Sequence, residues 1–157
     1  MNIGTDEIRT RLDSLASYIS DLRESEPPTY EEFEANKMLR RYAERMLHMA
    51  VEAAIAVGVR VLTEEGLRSP ENYHDVFVVL GEHGILPREL VRAMTDLVEL
   101  RNLLVHEHDV VDDTMVYGAL KRRLDVFTEF IARIEAYRRG EPLAPAELTE
   151  DDFESDD

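Results

Sequence analysis

Apolar side chains return at intervals of three and four near the start of the chain, where Ile8, Leu12, Leu15, Ile19 and Leu22 stripe an otherwise charged segment. At 3.6 residues per turn these positions share one face, so the spacing predicts an amphipathic helix over 5–25, stopped by Pro27 and Pro28. The "TYEE" at 29–32 has the form of a capping box, in which the Thr hydroxyl and the Glu carboxylate satisfy orphan backbone donors. A single long helix is expected to follow, with Phe33, Ala43, Met46, Leu47, Ala50, Ala54, Ile55 and Leu62 inward. It should end at Gly66 and bend near Gly58.

A shorter helix fits "NYHDVFVVLGEHG", with Tyr73, Val76, Phe77 and Leu80 on one face and Gly81 or Gly84 as its terminator. "VFVVL" alone suits a strand, but the chain offers no second strand to pair with it. Pro87 opens the next helix, through Leu90, Met94, Leu97, Leu100 and Leu104. Asp112 or Asp113 caps the last, which runs through Val116, Leu120, Leu124, Phe127, Ile131 and Ile134 to Gly140. The fold class expected is all-α: a bundle of four main helices plus one short helix.

Its 157 residues suffice for one domain. Residues 1–140 are read as that domain and 141–157, "EPLAPAELTEDDFESDD", as a disordered acidic tail. The chain lacks cysteine, which excludes disulfides and thiolate chemistry. The start shows no basic and apolar leader, and the richest apolar run is interrupted by Glu52 and Arg60, so a cytoplasmic protein without a membrane partner is expected.

Charge changes the picture twice. A net charge of -16 argues against polyanionic partners, yet the tail holds eight acids and no base, which leaves the remainder at -8. Arginine also outnumbers lysine by 16 to 2. Abundant carboxylates with scarce lysine suit a halophilic source, because concentrated salt screens their repulsion.

Within this frame, "LRNLLVHEHDVVD" at 100–112 places Arg101, Asn102, His106 and His108 toward a helix end. Asn102 and His106 are four apart and share a face, as do Arg101 and His108, seven apart; Arg101 and His106 stand about 140° apart. Arginine suits phosphate and histidine trades protons near neutrality. A helix C-terminus also favours both residues through its dipole alone, so spacing leaves a purely structural role open. A metal reading of "HEHD" is weak, since His106 and His108 diverge on a helix and no third ligand is evident; no metal or cofactor is expected.

The segment resembles the motif of the HepT-like family of the HEPN superfamily of helical ribonucleases: Arg, four residues, His, one residue, Tyr. Arg101, the spacers "NLLV" and His106 match it, and Asn102 is a polar residue of the kind often found after that Arg. The order of elements over about residues 5–139 is similar too. The resemblance implies a symmetric homodimer in which Arg101 and His106 of both copies act as catalytic residues, supported by Asn102 and His108. It implies metal-independent cleavage of RNA, rather than DNA, by 2′-hydroxyl attack, and a toxin role beside a nucleotidyltransferase antitoxin of the MntA type. His108 stands where the family has Tyr, the residue that the antitoxin can modify with AMP. A stable adduct at 108 is therefore not expected; inhibition would come from antitoxin binding, or from modification of Tyr117 if the next helix brings it beside the cleft. The departure also keeps open a helical dimer that binds a nucleotide or the nucleotidyltransferase and cuts nothing.

Among the remaining cations, Arg40, Arg41, Arg45, Arg122 and Arg123 are candidates for guiding RNA or, alternatively, solvated partners of carboxylates. His48 is expected as a packed or satisfied core residue, and the tyrosines, Tyr73 among them, as packing anchors.

Overall fold

The computed structural model describes residues 3–25, 27–106, 109 and 111–141, and among them there are seven helices and no strand. The helices are α1 (Ile3–Ser25), α2 (Tyr30–Ala35), α3 (Lys37–Glu65), α4 (Tyr73–Glu82), α5 (Arg88–His106), α6 (Asp113–Arg122) and α7 (Leu124–Arg138). The all-α expectation holds, but two of the expected helices are each divided. The expected tail lies, apart from Glu141, outside the described residues.

The first division falls at Asn36. Thr29 caps α2, accepting from the Glu32 amide at 3.1 Å, and Asn36 leaves helical geometry to cap α3, accepting from Leu39 at 3.0 Å. Asparagine competes well for backbone donors at such a site, so the chain starts a new helix instead of extending the old one. The second division falls at Arg123, between α6, capped by Asp112, and α7. Here no side chain caps the new helix. The change of direction instead lets α6 pack on α2 and α3 while α7 packs on α1 and α5.

α3 is the central element, touching α1, α2, α4, α5 and α6. By length and composition it has what a membrane span needs, yet its most apolar stretch lies largely inside the bundle. Phe33, Leu47, Phe77, Phe127 and Phe130 are fully buried in the single core that these helices share. Gly58 lies within the helix without breaking it. A Cβ there would stand 2.6 Å from Val76 Cγ1, so the glycine permits close approach of α3 and α4. Gly81 likewise lies inside α4, against Val91, while Gly84, at φ +71°, follows the helix end.

Candidate functional site

The polar centre of the bundle forms where α3, α4 and α5 meet. Arg101 sits on α5 with only 8% of its surface exposed, so it is buried. Its charge is met from α3. Glu52 Oε1 accepts from Arg101 Nε at 2.9 Å and also from Arg101 Nη2, and the same oxygen contacts His48 Nε2 at 3.1 Å. His48 and Glu52 are one helical turn apart, which brings their side chains together on the α5-facing edge of α3. From α4, the Tyr73 ring lies against the guanidinium, with Arg101 Cζ 5.1 Å from the ring centroid.

Asn102 completes the arrangement. Its Oδ1 accepts from Arg101 Nη1 at 3.0 Å, so its carbonyl orients the arginine rather than His106. A guanidinium carries five N–H donors, and three are engaged by Glu52 and Asn102. Two, one on each Nη, take no partner among the described residues. The side chain is thus held along one edge and one face, with donors left over for a tetrahedral anion such as phosphate. Burial pushes the Glu52 carboxyl upward, but the hydrogen bonds and charges of Arg101 and His48 outweigh it and hold the group below its ordinary range.

His106 is the last residue of α5 and is exposed, with no hydrogen bond or ion pair among the described residues. One copy therefore brings Arg101 and Asn102 together and leaves His106 at the helix end. His108 lies outside the described residues. Among those described, no three His, Asp or Glu side chains gather as metal ligands.

Glu52 and Tyr73 are members of this constellation that the sequence reading did not select. His48 proves satisfied, as expected, but by the carboxylate that also holds Arg101. Tyr73 is 45% exposed and is more a wall for the guanidinium than a core anchor. The five candidate guiding arginines separate: Arg40 pairs with Asp113 at 3.5 Å, Arg41 with Glu44 at 3.2 Å, Arg122 is half-buried and Arg123 is buried. Only Arg45 of the five lines a groove of about 460 Å³ along α1 and α3 whose wall includes His48 and Glu52.

Comparison with known proteins points to one family. A family model described as "Ribonuclease HepT-like" matches residues 15–134. The chain is 29% identical over 138 residues to a tRNA nuclease HepT of Aphanizomenon flos-aquae, spanning 87% of this chain and 92% of that relative. It is 26% identical over 90 residues to an mRNA nuclease HepT of Shewanella oneidensis, spanning 57% of this chain and 68% of the relative. In fold it is similar to a tri-AMPylated Shewanella oneidensis HEPN toxin solved in complex with an MNT antitoxin, with a TM-score of 0.78 at 21% identity over 87% of this chain and 99% of the other. YutE of Bacillus subtilis, described as a cytosolic protein of unknown function, superposes with a TM-score of 0.76 at 16% identity, over 90% and 95% of the two chains.

Proposed function

Because the chain belongs to the HepT-like ribonuclease family, we propose that it is a metal-independent endoribonuclease and the toxin half of a toxin–antitoxin pair. The observation that carries this reading is Arg101: a buried guanidinium, clamped by Glu52, Asn102 and Tyr73, with two N–H donors that none of the described residues engages. In the reaction those donors take the non-bridging oxygens of the scissile phosphate and stabilise the charge of the phosphorane. His106 accepts the proton of the 2′-hydroxyl as its oxygen forms a bond to phosphorus. The bond from phosphorus to the 5′-oxygen breaks, and that oxygen takes a proton from a second imidazole. The products are a 2′,3′-cyclic phosphate and a free 5′-hydroxyl.

The second imidazole is His106 of a second copy in a symmetric dimer. One histidine does not readily serve as base and acid in the same step, and in a single copy His106 stands exposed at the end of its helix. The relative solved with an MNT antitoxin supports a nucleotidyltransferase partner here too. Since imidazole at position 108 cannot form the phenolic ester that tyrosine forms, that partner silences this chain by binding, or by modifying Tyr117, a half-buried residue of α6. Intact-mass measurement after co-expression checks this, and a stable AMP adduct mapped to His108 would contradict it.

Cleavage of labelled RNA by purified protein tests the catalytic assignment. Arg101→Ala and His106→Ala should each lower the rate at least roughly a hundredfold, the scale of lost acid–base or oxyanion stabilisation. Chelator should leave wild-type cleavage unchanged. Wild-type rates in His106→Ala, or strict dependence on a divalent ion, would refute the mechanism.

A further inference from the structure

We propose that the groove between α1 and α3 binds the single-stranded RNA that flanks the cleaved bond, with Arg45 and Arg11 on its phosphates and Tyr18 against a base. The inference rests on the ribonuclease reading and adds to it the surface that delivers the strand. The groove encloses about 460 Å³, within the roughly 300–1,000 Å³ typical of ligand sites and thus roomy enough for a nucleotide.

Its charge runs against the rest of the molecule. Two guanidiniums, from Arg11 and Arg45, and one imidazole, from His48, face a single carboxylate, Glu52, in a chain whose net charge is -16. That carboxylate is already engaged by Arg101. Arg45 is exposed and takes no partner among the described residues. Arg11 contacts Glu7 at 3.4 Å, but both side chains are at least 40% exposed, so the pair is weak and exchangeable for phosphate.

The apolar part of the groove suits a base. Tyr18 is half-buried beside Met49 and Ala53, and aromatic stacking is open to a base that is not held in a duplex. Continuity with the reaction centre comes from Glu52. Its Oε1 touches His48 on the groove wall and Arg101 at the phosphate position, so a strand lying in the groove arrives one carboxylate away from Arg101.

The test uses full-length protein carrying His106→Ala, so that RNA is bound and not cut, with a fluorescein-labelled single-stranded RNA followed by anisotropy across a salt series. Arg45→Ala and Arg11→Ala should weaken binding, roughly tenfold in combination, and flatten the slope of log affinity against log salt by roughly 0.7 per arginine removed. Arg88→Ala, an exposed arginine that does not line the groove, should match its parent. A 5-iodouridine-substituted RNA should crosslink to Tyr18. If wild-type protein cuts RNA while the groove variants bind like Arg88→Ala, the groove proposal falls and the ribonuclease reading stands. Halving of molar mass in the arginine variants would make the groove an interface between copies and overturn the proposal. Failure of wild-type protein to cut or bind any RNA would remove both readings.

Discussion

Three donors converge on one oxygen of Glu52, and only one of the three residues involved was selected from the sequence as catalytic. Glu52→Gln keeps an acceptor and removes the charge facing the guanidinium. With Glu52 40% exposed, the expected loss of stability is about 1 kcal/mol, below that of a fully buried ion pair. The catalytic loss should be larger, roughly tenfold or more in kcat with little change in KM, because a guanidinium loosened by a fraction of an ångström still binds RNA but meets the transition state poorly. Unchanged kcat in this variant would show that the carboxylate does not place Arg101. The fold favours the ionised form of Glu52, so its stabilisation is present above the ordinary carboxylate range and is lost as pH falls below it. Arg101, Asn102 and His106 were legible because they follow one another on a helix. Glu52 is 49 residues away and joins them only through packing of α3 on α5. A trace did exist: an acid one turn after His48, interrupting the most apolar run of the chain.

At the scale of elements, two capped helix starts were well marked, and Thr29 and Asp112 both perform as their sequence suggested. The break at Asn36 had a signal, an asparagine able to cap, but it was masked by apolar spacing that continues across it. The break at Arg123 had none, since neither glycine nor proline nor a capping side chain stands there; it follows from the different neighbours of α6 and α7. The loop between α3 and α4 is fastened by Arg68, which bonds Asp75 at 2.7 Å and Glu82 at 2.9 Å. These contacts hold both carboxyls below their ordinary range and raise the guanidinium. Their stabilisation is therefore present above the carboxylate range and lost as pH falls through it. Arg68→Ala should lower Tm near neutrality, and the difference from wild type should shrink toward about pH 3. A difference that stays constant across that titration would exclude the ion pairs as its cause. Because Asn72 caps α4 and Tyr73 follows it, loosening this loop should also disturb the ring beneath Arg101.

For the whole molecule, the proposed two-histidine reaction requires a dimer, and light scattering at micromolar concentration should report twice the mass of an 18.1 kDa chain. A monomer, in salt that keeps the protein folded, would remove the shared site. The same samples test the charge argument: with 34 acids against 18 bases, Tm should rise as added salt shortens the Debye length toward about 3 Å at 1 M. Highest stability at low salt would speak against a halophilic source. Under the proposed reaction, the Glu52–Arg101 contact bears on how the site treats small anions. An arginine already neutralised from within attracts a stray anion only feebly, and a polymer gains what a fragment lacks, namely additional points of attachment along its length. Inorganic phosphate and mononucleotides should be poor competitive inhibitors of RNA cleavage in wild-type protein and better ones once Glu52→Gln unmasks the cation. If RNA is cut as proposed, the internal carboxylate would then act as a filter on molecular size, favouring a strand long enough to be held elsewhere over free phosphate.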